Sequence, residues 1–397
     1  MIRRGLRWIV VVLVVAHGLI HLLGAAKGFG WADVSLLTEP ISPALGAAWL
    51  IAGALVVVAG ILLARSVRWW WIVGAVALLA SQAVILTSWT DAEAGTVANL
   101  ILLAAVAYGY AAQGPTSFRA EYRRRAKAAL STPPNSPVVT DLDLAGLPAP
   151  VAAYVRFSGA VGQPRVRNVQ ARIHGRIRAG ADATWMTFTG EQVNTYGAAP
   201  SRLFFMDATL KGLPVDVLHL YAGSAATMRV KAISLLSMVN AAGPALDRAE
   251  TVTVFNDLCV LAPAALVDAP VTWEPIDAGH ARGTFTNGAH TVTAELAFNA
   301  QHELVDFVSD DRLRASPDGK TFTAQRWSTP VGDYRLIGNR RVATTGEGTW
   351  HAPSPEGPFT YLEFHLEQVT YNLGDVPKHE QEAQEAQEAE EARAFRP

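Results

Sequence analysis

Two histidines, His17 and His21, lie four residues apart within the apolar run Leu6–Ala25. On a helix, residues four apart share one face, so both imidazoles would project to the same side. Such a pair can chelate a metal ion, which makes His17 and His21 candidate metal ligands. A third ligand is missing from the apolar runs, and Asp91 in a connecting loop is the nearest candidate.

Two further polar side chains, Gln82 and Asn99, lie in other apolar runs. At a rise of about 1.5 Å per residue, they fall with His17 and His21 in the outer half of a membrane. Polar groups that face lipid are costly, so we expect the four to face inward and to meet. One interpretation is a small polar pocket for a metal, a haem, a proton path or a lipid headgroup. The alternative is interhelical hydrogen bonding that only holds the helices together.

Three aspartates are candidate catalytic residues. Asp310 and Asp311 follow an alternating stretch where the alternation ends, and Asp257 closes a predicted helix. A carboxylate pair can bind a cation, or do acid–base chemistry if burial separates the two pKa values. The accompanying candidate ligand-binding residues are Glu250, Asn256, Arg312 and Arg326. The alternative is a structural ion-pair network in which the two arginines pair with Asp257 or Asp310.

The usual enzyme motifs are missing from the sequence. It contains no nucleophile elbow, no phosphate-binding loop, no dinucleotide fingerprint and no zinc-protease motif. The single cysteine, Cys259, excludes an intrachain disulfide. The sequence predicts no cofactor. The net charge of −2, without a basic patch that carries interleaved aromatic residues outside the membrane flanks, argues against a nucleic-acid partner.

Half of the 397 residues are hydrophobic and 17% are charged, which is a low charged fraction for a soluble protein. The excess of apolar residues lies within the first 113 positions, and a membrane-spanning helix needs about 20 such residues. Four runs of about that length are Leu6–Ala25, Leu45–Ala64, Trp69–Trp89 and Gly95–Ala112. The alternative for the first run is a signal peptide, since Arg3 and Arg4 precede it and it ends in small residues, but the run is longer than a usual signal-peptide core. We therefore predict four membrane spans and the lipid bilayer as a partner.

The charges that flank these runs predict a topology, since basic residues remain on the cytoplasmic side. The basic residues of three flanks are Arg3, Arg4, Arg7, Arg65, Arg68, Arg119, Arg123, Arg124, Arg125 and Lys127. The two other loops carry Asp33, Glu39, Asp91 and Glu93 against Lys27 alone. The predicted location is the inner (cytoplasmic) membrane, with several passes and with both termini and the soluble domain in the cytoplasm.

From Val166 onward the pattern changes to period two, which is typical of β-strands. The predicted strands are Thr184–Thr189, Arg202–Ala208, Val215–Tyr221, Thr227–Ala232, Val271–Pro275, Gly283–Thr286, Thr291–Phe298, Val305–Val308, Phe322–Ser328, Asp333–Ile337 and Phe359–Tyr371. One interruption, Ala249–Leu258 with Pro263–Val267, is predicted to be helical, and a short helix is predicted after Leu147. One side of most strands is apolar, so the sheet must curl over itself or be covered by helices.

The predicted fold class is an N-terminal four-helix transmembrane block followed by a C-terminal α+β domain, with a long curved antiparallel β-sheet and two or three helices. The predicted boundaries are residues 1–113 for the transmembrane region and 114–137 for a basic juxtamembrane helix with a Pro-rich linker. Residues 138–374 would form the β-rich soluble domain. Residues 375–397 repeat Glu-Ala-Gln and are predicted to be an acidic low-complexity tail.

Several short sequence motifs resemble those of an uncharacterised bacterial membrane-anchored family, domain of unknown function 6544 or a close relative. They are Pro200-Ser-Arg-Leu-Phe-Phe-Met, Gly212-Leu-Pro-Val, Glu250-Thr-Val-Thr-Val-Phe-Asn-Asp, Ser309-Asp-Asp-Arg and Arg326-Trp-Ser-Thr-Pro. In the membrane half, Trp89-Thr-Asp-Ala and the stretch from His17 to His21 are similar to the same family. The resemblance covers most of the chain and implies membrane attachment without any particular chemistry.

Three functions are compatible with these patterns. The first is a membrane-tethered binding protein that holds a lipid or another apolar small molecule in the curved sheet domain. The second is a membrane enzyme that uses Asp310, Asp311 and Asp257, or a metal at His17 and His21. The third is a structural anchor or scaffold for a protein partner that the sequence does not identify.

Overall fold

The computed structural model describes residues 2–131 and 136–374, so the acidic tail and most of the Pro-rich linker lie outside the described residues. Packing of the Cα atoms divides the chain into two compact units. The first unit holds the chain up to Glu121 together with Lys211–Val215 and Lys231–Ser237. The second unit holds the remaining described residues.

The first unit is built from helices. They are α1 (Ile2–Phe29), α2 (Pro43–Ala64), α3 (Trp70–Thr87), α4 (Trp89–Ala92) and α5 (Gly95–Gln113). The next helix, α6 (Phe118–Ala129), passes into the second unit after Glu121. Four of these helices are long and apolar enough to cross a membrane, which confirms the predicted helical block. The basic stretch that begins at Phe118 is also helical, as its sequence predicts.

Helices α1 and α2 approach each other closely at two pairs of glycines. A Cβ atom on Gly28 would lie 2.6 Å from Cα of Gly46, and a Cβ atom on Gly53 would lie 2.7 Å from the carbonyl oxygen of Gly18. Small residues permit such close approach of helices in a membrane, where packing and not water drives association. At the start of α2, Ser42 accepts a hydrogen bond from the backbone N–H of Leu45 and caps the helix.

The second unit contains helices α7 (Ala149–Phe157) and α8 (Pro244–Leu261) and sixteen strands. The strands are β1 (Asn168–Ile177), β2 (Met186–Thr195), β3 (Ser201–Leu210), β4 (Leu213–Ala222), β5 (Ala225–Ala232), β6 (Leu236–Ala242), β7 (Val271–Pro275), β8 (His280–Asn287), β9 (His290–Phe298), β10 (Leu304–Ser309), β11 (Leu313–Ala315), β12 (Phe322–Ala324), β13 (Trp327–Ser328), β14 (Val331–Ile337), β15 (Arg340–His351) and β16 (Pro358–Tyr371). The ends of two hairpins, within β3–β4 and β5–β6, fall in the first unit.

Fourteen strands form one sheet in the order β6-β5-β4-β3-β2-β1-β16-β15-β13-β10-β9-β8-β7, with β14 also paired to β15. Strands β1 and β16 pair antiparallel near the middle of this order, with Val169 opposite Tyr371. The sheet curls until distant strands meet, since the Asn287 side chain on β8 donates a 2.6 Å hydrogen bond to the Tyr221 hydroxyl on β4. The predicted fold class, a helical block followed by a long curved antiparallel sheet with helices, is therefore confirmed.

Helix α8 fills the concave side of the sheet. Pro244 occupies its first turn, where the missing N–H costs nothing. Buried residues lie on all sides of the helix, as expected of a helix that is buried all round, and they include the polar side chains of Glu250 and Asn256. The Phe255 ring lies 5.3 Å from the rings of both Phe285 and Phe307. The hydroxyl of Tyr371 donates to the carbonyl of Leu261 at 2.9 Å, so β16 is joined to the end of the helix.

Three strands of the sheet, β1, β6 and β15, were not among the predicted ones. In β15 the alternation is interrupted by small residues, and the structure supplies the reason at Gly346 and Gly348. A Cβ atom on Gly346 would lie 2.5 Å from the Phe364 ring, and one on Gly348 would lie 2.8 Å from the Tyr361 ring. Aromatic side chains of β16 thus occupy the space where side chains of β15 would otherwise show the pattern.

Candidate functional site

The polar side chains of the membrane helices meet around one hydroxyl group. Ser81 Oγ on α3 lies 2.9 Å from Nε2 of His21 and 3.2 Å from Nε2 of His17, both on α1. It also lies 3.0 Å from Oδ1 of Asn99 on α5. His17 is 5% exposed and His21 is 1% exposed, so neither imidazole lies on the outside of the helical unit.

The network continues from Asn99 to the last of the four expected side chains. His17 Nε2 lies 3.1 Å from Asn99 Oδ1, and the Asn99 side-chain N–H donates to Gln82 Oε1 at 2.9 Å. Gln82 donates in turn to the hydroxyl of Thr96 at 3.2 Å. The structure therefore brings His17, His21, Gln82 and Asn99 into one connected network. Their positions along the apolar runs in the sequence indicate the same meeting.

This network is satisfied without any net charge. His21 Nδ1 lies 2.9 Å from the carbonyl oxygen of His17, so it must carry the proton and donate. The single Ser81 proton can be donated to only one acceptor, Nε2 of a neutral His21 or Oδ1 of Asn99; when it goes to His21, Nε2–H of His17 donates to Asn99. Each of these side chains has at least one hydrogen-bond partner, which lowers the cost of burying polar side chains among apolar helices.

The expected third metal ligand has another role. Asp91 accepts hydrogen bonds from the backbone N–H groups of Thr38 and Glu39 at 2.6 and 2.8 Å, and from the Thr38 hydroxyl at 2.6 Å. It therefore joins two connecting loops. Within residues 2–131 and 136–374, no group of three or more His, Cys, Asp or Glu side chains is arranged to hold a metal ion.

The two adjacent candidate aspartates are each bonded to an arginine. Asp310 pairs with Arg326 at 3.3 Å on the surface, as the structural alternative predicts. Asp311 accepts from Arg248 at 2.5 Å and from the Thr293 backbone and hydroxyl at 2.6 and 2.8 Å. Burial raises the pKa of Asp311, but the hydrogen bonds from Thr293 and Arg248 outweigh it and lower the pKa overall. Asp311 is thus held as a carboxylate.

The third candidate, Asp257, lies in a separate network beneath the sheet. Its Oδ2 accepts from Nε of Arg202 at 2.7 Å, from Gln192 at 2.7 Å and from Asn194 at 3.1 Å. These three partners come from β2 and β3, whereas Asp257 lies on α8. The contacts therefore join the helix to two strands, and among the described contacts none connects Asp257 to Asp310 or Asp311.

Glu250, about two turns earlier on α8, extends this network. It is 2% exposed and accepts from Arg312 at 2.8 Å, with His219 Nε2 at 3.3 Å and Arg202 at 3.9 Å. Arg312 also donates to the carbonyl of Ala249. Arg312 thus pairs with Glu250 and not with Asp257, although its role in holding a strand segment to the helix is the expected one.

In this network the positive charges of Arg202 and Arg312 balance the negative charges of Asp257 and Glu250. Burial lowers the pKa of His219 to about 4, so the imidazole is uncharged at neutral pH. Burial raises the pKa of Glu250, but its neighbours, the guanidinium groups of Arg312 and Arg202 among them, hold it below its usual range. Asn256, the remaining candidate ligand residue, is 6% exposed, and its Nδ2 has no hydrogen-bond partner in the described part of the chain.

An open groove lies elsewhere in the sheet domain, beside strands β14, β15 and β16. It has a volume of about 340 Å³, and we call it the β14–β16 groove. The lining residues are Pro330, Val331, Gly332, Thr345, Gly346, Glu347, Glu363, Phe364 and His365. None of them was predicted as a site residue. A second crevice, between α8 and residues such as Tyr196 and Phe285, has a volume of only about 10 Å³.

The structure combines four helices that are long and apolar enough to cross a membrane with a large β-rich domain, in which a curved antiparallel sheet packs on a buried helix. The chain belongs to the family of unknown function DUF6544, whose family model matches residues 137–364. The resemblance noted in the sequence is thereby confirmed. A comparison with curated proteins finds no match to this chain.

Two solved structures are similar to the chain at low scores. One is a DUF1329 family protein from Desulfovibrio piger, with 11% identity and a TM-score of 0.32, covering 57% of this chain and 94% of that protein. The other is a LolA superfamily protein from Nitrosomonas europaea, with 11% identity and a TM-score of 0.31, covering 58% of this chain and 96% of that protein. Scores at this level support no conclusion about ligand or activity.

Proposed function

We propose that the protein is a membrane-tethered binding protein that takes a small apolar or amphiphilic ligand in the β14–β16 groove. The observation that carries this proposal is the size of the groove. Its volume of about 340 Å³ falls within the range of about 300–1,000 Å³ that is usual for small-molecule sites.

The lining suits a ligand with one apolar and one polar end. Pro330, Val331 and Phe364 provide apolar surface, and the polar side chains come from neighbouring positions of β15 and β16. Glu363 is engaged by Arg176 through two hydrogen bonds of 2.7 and 2.6 Å. Glu347 accepts one hydrogen bond from the Thr360 hydroxyl at 2.9 Å and is otherwise exposed, so it is the group placed to receive a donor from a ligand.

The crevice beside α8 is a poorer site for the same ligand. A volume of about 10 Å³ is about what one water molecule needs. A lipid chain could enter there only if α8 moved, and the paired carboxylates Glu250 and Asp257 oppose such a movement. The proposed site is therefore the groove and not the space under the helix.

The tether would place this groove on the cytoplasmic side of the inner membrane, as the basic flanks of the spans indicate. We propose that the intramembrane network and the α8 network stabilise the fold, because most of their hydrogen-bonding groups are bonded to one another. In this proposal the acidic residues Asp257, Asp310 and Asp311 hold elements together and carry no catalysis.

Gly332 offers a direct test of the groove. A Cβ atom there meets only the Thr345 hydroxyl oxygen, at 3.9 Å, so a larger side chain would enter the groove without displacing the backbone. We expect wild-type protein, released gently from its own membranes, to retain a lipid-sized mass in native mass spectrometry. Gly332→Leu should lose that mass.

The matched control is Gly180→Leu, whose nearest side-chain atoms lie at 3.9 and 4.0 Å and belong to Arg314 and Glu356, outside the groove. It should retain the bound mass. The proposal fails if the wild type carries no such mass, or if Gly332→Leu carries it as fully as the control does.

A further inference from the structure

Two hairpin turns lie side by side at one end of the sheet. Strands β3, β4, β5 and β6 are consecutive both in the chain and in the sheet, so the β3–β4 and β5–β6 turns fall at the same end. The backbone N–H of Ile233 in the second turn donates to the carbonyl of Pro214 beside the first at 2.7 Å. The two turns therefore form one continuous surface.

Three leucines of this surface are exposed. Leu213 is 57% exposed, Leu235 is 49% exposed and Leu236 is 59% exposed. We call these three residues the leucine tips. Single exposed leucines are ordinary, but three on adjoining turns form a patch of the kind that marks a binding surface.

The charged residues within the two turn segments have one sign. The segments Lys211–Val215 and Lys231–Ser237 contain two lysines and no acidic residue. The ammonium group of Lys231 lies 4.6 Å from the centre of the Phe118 ring, at the residue where α6 begins. Lysine beside exposed leucine is the combination that suits the headgroup region of an anionic lipid leaflet.

The same two segments pack within the compact unit that contains the membrane-length helices. A lipid surface is therefore the partner that we infer for this patch. We propose that the leucine tips insert into the interfacial region of the bilayer and that Lys211 and Lys231 contact anionic lipid headgroups there. This docking surface is distinct from the β14–β16 groove and does not depend on a ligand in it.

Site-specific fluorescence in lipid nanodiscs tests the proposal with the full chain. Cys259 is the only cysteine and is 0% exposed, so a cysteine introduced at the surface takes up the label selectively. The probe is an NBD fluorophore on Leu236→Cys, in nanodiscs of phosphatidylcholine and phosphatidylglycerol with a doxyl-labelled lipid as quencher. We expect a blue-shifted emission that the doxyl lipid quenches.

The matched control is the same label on Leu336→Cys, since Leu336 is 66% exposed on a different hairpin. Its emission should remain that of a water-exposed fluorophore. Equal quenching at the two positions, or none at Leu236→Cys, would overturn the proposal. So would an oxidative cross-link between two copies through Leu236→Cys, because the patch would then be a protein interface.

The contribution of Lys211 to docking on anionic lipid is measured in a separate experiment. Each lysine near an anionic surface favours the docked state by about fivefold. Lys211→Gln should therefore lower the docked fraction in phosphatidylglycerol, while Lys320→Gln, which alters an 80% exposed lysine side chain on another turn, should not. An identical docked fraction for these two variants would reject the electrostatic part of the proposal.

Discussion

The hydroxyl of Ser81 lies between the two histidines of α1, 2.9 Å from Nε2 of His21 and 3.2 Å from Nε2 of His17. One small side chain on α3 thus lies within hydrogen-bonding distance of two imidazoles on another helix. Its neighbour in the chain, Gln82, reaches the same network through Asn99. The bundle therefore depends on Ser81 more than its size or the sequence pattern indicates.

We predict that Ser81→Ala destabilises the helical unit by about 0.6–2 kcal/mol, the range for hydrogen bonds between membrane helices. Ser88→Ala is the matched control, because Ser88 is 1% exposed and its Oγ has no hydrogen-bond partner among the described residues. Thermal unfolding of the full chain in one detergent measures both variants. Equal stability of the two variants would contradict a stabilising role for the network.

The buried network beneath the sheet leads to a second prediction. Arg202→Leu leaves the carboxylate of Asp257 without its guanidinium partner, while Glu250 keeps Arg312, so the sheet domain should lose about 3–5 kcal/mol of unfolding free energy. Arg326→Leu breaks an exposed pair with Asp310 and should cost less than about 1 kcal/mol. Urea unfolding followed by tryptophan fluorescence gives both values. Similar losses in the two variants would show that the α8 network does not secure the helix.

Asp306 gives a third prediction, on the dependence of stability on pH. Burial raises its pKa from 3.8 to about 6 in the folded chain. The folded state therefore holds this proton more tightly than the unfolded state does. The resulting stabilisation is complete below pH 3.8 and is lost as the pH rises through about 6.

Asp306→Asn keeps an oxygen that can accept from the Phe307 N–H, 2.9 Å away in the wild type, and removes the titration. Between pH 4 and pH 7 the wild type should lose stability relative to this variant. Urea midpoints at several pH values measure the difference. Parallel curves for the two proteins would mean that Asp306 titrates normally.

A fourth prediction concerns topology. Leu142 is 83% exposed in the sheet domain, and Leu36 is 80% exposed in the loop after α1. The basic flanks predict that Leu142→Cys is protected from a membrane-impermeant maleimide in intact cells and that Leu36→Cys reacts. Permeabilised cells should label both positions. Labelling of Leu142→Cys in intact cells would reverse the proposed orientation.

The sequence predicts the four long apolar helices and the meeting of their polar residues well, because length, composition and position along a helix are local properties. It predicts most strands from their alternation. It does not reveal Arg202, since this arginine lies inside a strand and its partner Asp257 is 55 positions away along the chain. Its pairing depends on which strands face α8, and sequence spacing carries no information on that.

The β14–β16 groove illustrates the same limit for a binding site. Its lining comes from β14, β15 and β16, and β15 was not recognised because Gly346 and Gly348 replace the side chains that would alternate. The groove exists because Phe364 packs over Gly346 while Gly332 leaves space beside Thr345. Volume of this kind arises from three-dimensional packing and has no signature in the order of residue types.

The pairing of β1 with β16 leaves one strand edge unpaired during most of the synthesis of the domain. Val169 lies opposite Tyr371, so the strand that opens the sheet is completed by one translated about 200 residues later. Until β16 is synthesised, the half of the sheet that runs from β1 to β6 has an unpaired edge at β1. Unpaired edges invite wrong partners. The β1 edge therefore stays open to wrong pairing until β16 has been synthesised.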